Sequence, residues 1–258
     1  KVGAKIQLKK VLVRNTEKAS RKLDDPSILT TEWKSILEDP EISIVVEVMG
    51  GIEPARRYIL DALHAGKSVV TANKDLLASH GKELMDAAAE TKSDLLFEAS
   101  VAGGNTIIRP FKECLAGNHI SEVMGIVNGT TNFILTKMAE EGMEFQEALA
   151  LATELGYAEA DPTAAIEGLD AARKVAILAS LAFHSRVTID DVYTEGITKI
   201  TATDIRYARE MGCDTKLLGV AKETPEGIEA RVQPMLNPST HPLASVRVSF
   251  QAILAPGD

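Results

Sequence analysis

Residues 157–174 read YAEADPTAAIEGLDAARK, which gathers Glu159, Asp161, Glu167, Asp170 and Lys174 into one short span. The stretch that follows, VAILASLAF (175–183), carries no charge. On one helix Glu167, Asp170 and Lys174 are spaced three and four apart and share a face. That face is either a solvated ion-pair stripe or the charged lining of a cavity where a helix enters the core. A surface helix keeps its polar stripe along its length, whereas this one turns apolar on every side after Lys174, as a buried helix does. The pattern therefore favours a cavity. Gly168, which costs roughly 1 kcal/mol in a helix interior, fits a place where something must approach the backbone closely. Glu159 and Asp161 fall on the loop just before, after Gly156 closes the preceding helix.

Three strand ends in the first half could also bind ligands. In VMGG (48–51), Met49 and Gly50 offer free backbone amides at a strand-to-helix turn, a natural place for a nucleotide's ribose or phosphate. In TANK (71–74), Lys74 stands just past a strand end, where its ammonium could reach an anionic ligand. EASVAGGN (98–105) ends a strand in a glycine-rich bend able to aim several carbonyls at one point. Any one of these could be a tight turn with a solvated side chain. Three on one sheet edge point to ligand binding.

The elements that must position these groups alternate at first between strand and helix. Strands are expected over 5–14, 41–51, 68–74 and 94–100, with helices from Pro54 through Leu63 and over 81–92. Helices between short hydrophobic strands imply parallel pairing, because a parallel pair needs a crossover. The fold class expected is α/β, a Rossmann-like doubly wound sheet with ligands at the carboxyl ends of its strands. The chain opens on Lys1, and its first strand reads as the second of such a fold. The true first strand and its glycine-rich turn are thus expected upstream. Arg14, at the end of that strand, suits the 2′-phosphate of NADP better than an acid would. From about residue 103 the pattern changes: helices over 105–116, 130–141, 144–155 and 163–184, a strand over 120–128, and a hairpin over 215–236 turned by TPEG. A dinucleotide-binding domain over 1–102 followed by an α+β domain over 103–258 is the expected organisation.

Composition removes several function classes. A net charge of −9 with no basic stripe argues against a nucleic-acid surface. The longest apolar run is too short to span a bilayer. Cys114 and Cys213 show neither disulfide-framework nor metal-ligand spacing, so a reducing, cytoplasmic setting is expected.

The segment ATELGYAEADPTAAIEGLDAARK (152–174) resembles the signature of homoserine dehydrogenases, and TANK, EASVAGG and GIVNGTTNFIL (125–135) resemble that family at matching distances. The resemblance implies NAD(P)-dependent interconversion of L-homoserine and L-aspartate 4-semialdehyde, in the aspartate-derived route to threonine and methionine, by a homodimer. It implies that Lys174 transfers a proton with Asp170 beside it, and that Glu159 binds substrate. Lys74 is implied at the junction of cofactor and substrate, with Gly156 as a backbone contact there. Main-chain carbonyls of Glu98, Val101, Gly103 and Asn105 are implied as sodium ligands. The sequence departs from the family pattern at Ala165, where an aspartate would help hold the substrate ammonium. It departs again at Asn105–Thr106, and at Val248, where an aspartate is usual. Two rivals to a working dehydrogenase follow: a non-catalytic relative that keeps the fold and a dimer-forming sheet, and an oxidoreductase of another small polar aldehyde.

Overall fold

A computed structural model describes residues 3, 5–21 and 23–258; residues 1, 2, 4 and 22, which belong to the expected first domain, lie outside the described set. The chain divides into two units. One runs to Leu76 and resumes over Lys82–Phe97; the other comprises Leu77–Gly81 and Glu98–Asp258.

In the first unit strands and helices alternate in the order β1 (Val11–Leu12), α1 (Thr16–Ser20), β2 (Leu29–Thr30), α2 (Trp33–Leu37), β3 (Ile44–Glu47), α3 (Ala55–His64), β4 (Ser68–Thr71), α4 (Lys74–Thr91) and β5 (Leu95–Leu96). β1 pairs with β2, and β3, β4 and β5 form a second sheet in that order; every pair is parallel. The helical crossovers make this pairing possible. α3 shows how they attach: Ala55, Ile59, Ala62 and Leu63 recur at helical spacing and are fully buried.

Element ends differ from expectation where local hydrogen bonds decide them. The strand expected over 5–14 narrows to Val11–Leu12. Val11 to Val13 pair with Leu29 and Thr30, while Ile6 and Leu8 remain 78% and 61% exposed. The helix expected from 81 starts at Lys74, because the Asn73 side chain accepts the Leu76 N–H at 3.2 Å and caps it there. The strand expected over 94–100 stops at Leu96 and gives way to a 3-10 turn over Glu98–Ser100.

The second unit runs β6 (Glu122–Ile126), α5 (Gly129–Glu141), α6 (Phe145–Glu154), α7 (Thr163–Ile166), α8 (Leu169–Ala182), β7 (Tyr193–Thr194), α9 (Ala202–Glu210), β8 (Cys213–Thr224), β9 (Gly227–Pro238) and β10 (Ala252–Leu254). Its sheet has the order β10-β6-β8-β9-β7 and is antiparallel except for the β7–β9 pair. The expected hairpin is its spine, closed where Thr224 pairs with Gly227 across the TPEG turn. Helix α8 packs on β8 and β9. A Cβ built at Gly219 of β8 would stand 2.3 Å from Val175 Cγ2 of α8, so glycine is what lets the helix lie this close to the sheet.

Two expected helices change here. The one over 105–116 contracts to a π-helical turn at Pro110–Cys114, since the preceding amides are taken by a carboxylate and Pro110 has no N–H to give. The helix over 163–184 is broken at Gly168, whose φ of +82° is the left-handed region that glycine enters without strain. Thr194 Cγ2 would lie 3.1 Å from a Cβ there, so close approach, also expected at this glycine, comes from β7. Glu167 ends α7 and is exposed; it does not share a helix face with Asp170 and Lys174. No helix among the described residues is long and apolar enough to cross a membrane.

Candidate functional site

The five charges of 157–174 do not act as one group. Glu159, Asp161 and Glu167 are exposed, whereas the side chains of Asp170 and Lys174 are only 16% and 14% exposed. Both lie in the first half of α8, one turn apart. After Lys174 the helix is buried at Val175 through Ala179, so the expected entry of a helix into the core is present at this point.

Lys174 Nζ donates to Asp170 Oδ2 at 2.7 Å and to the Val127 carbonyl at 2.7 Å. Val127 follows the last residue of β6, and Asn128 after it is the N-cap of α5. The Asn128 side chain donates through Nδ2 to the same Asp170 oxygen at 2.8 Å, while its Oδ1 accepts the Thr131 N–H at 2.8 Å. The end of β6, the start of α5 and the first half of α8 thus converge on one ammonium–carboxylate pair. The ammonium has three protons. Two are held by Val127 and Asp170 and fix the direction of the third.

The loop carrying Gly156 and Glu159 is tied to the first turns of α5. Thr130 Oγ1 donates to the Tyr157 carbonyl at 2.6 Å, and the Tyr157 ring stacks on Phe133 with centroids 4.6 Å apart. Gly156, at φ +78°, ends α6 with its N–H on Thr153 O. In the segment after β5, Glu98 accepts the Ile107, Ile108 and Arg109 amides, so its side chain is spent on closing the bend. Ala102 and Gly103 follow with φ of +60° and +57°, and the Asn105 N–H returns to Ala102 O at 3.1 Å. Val101 is fully buried.

In the first unit Arg14 is exposed beyond β1, and Asn15 caps α1 by accepting the Lys18 N–H. The amides of Met49 and Gly50 are not free, contrary to the reading of VMGG. Both donate to Glu47 Oε1, at 2.6 and 3.1 Å, and Thr71 Oγ1 donates to Oε2 at 2.7 Å. A buried carboxylate at the end of β3 consumes what a phosphate would need. Gly50 and Gly51, both at φ +74°, still face open space. Lys74 opens α4, half-buried.

Asn128, Val127, Glu47 and Lys216 escaped the sequence reading. Asparagine ahead of GTTNFIL carries an N-cap signal, but nothing local announces its second bond, 42 residues away. Lys216, on β8 and 2% exposed, donates to Asn132 Oδ1 at 3.0 Å and to Val246 O. Burial, helped by the positive charge of Arg247, pushes its ammonium down to about 8 against the opposing pull of Asp214 and Glu140.

A parallel α/β unit joined in sequence to an antiparallel α+β unit with a shielded lysine–carboxylate pair is a two-domain protein of the Rossmann class. Family comparison is consistent along the chain. Residues 1–98 match the model described as "Homoserine dehydrogenase, NAD binding domain", and residues 107–258 match that described as "Homoserine dehydrogenase". The homoserine dehydrogenase of Bacillus subtilis strain 168 is 49% identical over 258 residues, covering 100% of this chain and 59% of its own length. That of Corynebacterium glutamicum is 52% identical, covering 98% of this chain and 58% of its own. The crystal structure of a homoserine dehydrogenase from Thiobacillus denitrificans superposes with a TM-score of 0.92 at 46% identity, over 97% of this chain and 58% of that one. The chain belongs to the homoserine dehydrogenase family. It spans a little under three-fifths of the length of these relatives.

Proposed function

We propose that this chain carries the NAD(P)-binding and catalytic parts of an enzyme that interconverts L-homoserine and L-aspartate 4-semialdehyde. The observation that carries the reading is the Lys174 ammonium, 14% exposed and fixed at 2.7 Å from both Asp170 Oδ2 and Val127 O. When bound, NAD(P)H supplies a hydride to the aldehyde carbon. The oxygen then gathers negative charge and needs a proton. The Lys174 ammonium delivers its third proton there, and in the oxidative direction the amine takes it back. Asp170 stabilises the ammonium and sets its direction. Glu159 offers a carboxylate for the substrate ammonium, and Lys74 a cation for its carboxylate.

The residues fit the nucleotide in part. Arg14 stands exposed for a 2′-phosphate, and the open backbone at Gly50–Gly51 suits a ribose. With the Met49 and Gly50 amides bonded to Glu47, that turn suits an uncharged part of the cofactor. Gly156 adds a backbone contact, and carbonyls of Glu98, Val101, Gly103 and Asn105 form the sodium ligand set. The active species is a homodimer, which light scattering checks. NADPH oxidation with aspartate semialdehyde tests the whole reading. Lys174→Met lowers kcat by about 10²–10⁴ with little change in cofactor KM; a variant at wild-type kcat refutes it.

A further inference from the structure

The pair of Asp170 and Lys174 is held by a nearly buried asparagine at the start of α5. Asn128 is 7% exposed and uses both ends of its amide. Oδ1 accepts the Thr131 N–H at 2.8 Å and the Thr131 hydroxyl at 3.0 Å, which caps α5; Nδ2 donates to Asp170 Oδ2 at 2.8 Å. Its orientation is unambiguous. Turned over, the amide would set its oxygen against the Asp170 carboxylate and its NH₂ against the Thr131 N–H, losing both bonds. The same Oδ2 accepts Lys174 Nζ, and the carbonyl just before Asn128, that of Val127, accepts Lys174 Nζ again. Residues 127 and 128 therefore fix both members of the pair, one through the backbone and one through a side chain.

We propose that Asn128 is a positioning residue for proton transfer: its amide locks the Asp170 carboxylate in the rotamer that aims the Lys174 ammonium. The proposal rests on the reading of Lys174 as proton donor. Without the Nδ2 bond Asp170 keeps its charge and its bond to Lys174 but loses the tie from its side chain to the start of α5, and a proton donor needs geometry as much as charge. The N-cap role is separable, because serine or threonine caps a helix about as well as asparagine but cannot donate an amide N–H across to α8.

The test compares Asn128→Ser, Asn128→Thr and Asn128→Ala with Lys174→Met, in the full chain. Loss of one hydrogen bond to a charged group lowers kcat about tenfold or more in all three Asn128 variants, with cofactor KM unchanged and a larger solvent deuterium isotope effect. Melting temperature follows a different order, near wild type for Ser and Thr and lower for Ala. Independently of turnover, the Lys174 Nζ–H signal in nitrogen-15 NMR, identified by its loss in Lys174→Met, exchanges with water faster in Asn128→Ser. The proposal is overturned if Asn128→Ser keeps wild-type kcat, if Nζ–H exchange is unchanged, or if kcat merely tracks melting temperature. Failure of the functional reading looks different: there Lys174→Met itself retains wild-type kcat.

Discussion

Replacing Lys216 by methionine should flatten part of the pH dependence of stability. In the native state this lysine gives up its proton near pH 8, whereas in the unfolded chain it does so near the ordinary 10.5. Between these values the unfolded state holds more protons, so the lysine makes stability rise with pH across the window. Below pH 8 both states are charged, and the folded one bears the cost of a buried ammonium beside Arg247. The gap from 10.5 to about 8 corresponds to roughly 3 kcal/mol at about 1.36 kcal/mol per unit. Methionine removes that charge but strands Asn132 Oδ1 and the Val246 carbonyl, at about 1–3 kcal/mol for each unsatisfied group. The two effects oppose at pH 7, so absolute stability there is a poor discriminator and the slope is the measurement. Urea unfolding by circular dichroism at pH 7 and pH 10 should show the wild type gaining up to about 3 kcal/mol relative to Lys216→Met. Parallel pH profiles for the two proteins would refute the reasoning.

Val248 holds φ at +56°, a region costly for a β-branched residue and tolerated by asparagine and aspartate; Val248→Asn should stabilise by about 1 kcal/mol, and a lower melting temperature would count against it. A Cβ at Gly196 would lie 2.2 Å from the Ile166 carbonyl and 2.4 Å from Glu167 Cα, both backbone atoms. Gly196→Ala should therefore cost about 3 kcal/mol in thermal or urea unfolding, and a neutral result would show that the α7–α8 junction yields easily. Ala165→Asp should lower the homoserine KM about 10- to 150-fold by supplying a charged hydrogen bond; an unchanged KM dissociates position 165 from the substrate ammonium.

Features set by short-range pattern were legible in the sequence. The β-branched run at 44–47, the TPEG turn and the charge-free run after Lys174 all report on themselves within a few residues. The pair of Asp170 and Lys174 was legible because both groups sit on one helix. Features set by a single long-range hydrogen bond were not. Asn73 starts a helix seven residues before the apparent one, and Glu98 spends its carboxylate on amides at 107–109. Gly168 signalled something unusual, but its left-handed backbone separates two helices that periodicity had joined. Glu47 turned the most suggestive amides of VMGG inward, an outcome no local rule contains.

The bare Cα of Gly219 has a reach well beyond β8. Val175 rests in the gap it leaves, and Val175 is chain neighbour to Lys174. Any larger residue at 219 must push aside the Val175 side chain or shift the stretch of α8 that bears it. A single hydrogen atom on the sheet thus sets how deeply the helix that carries the lysine–carboxylate pair can settle.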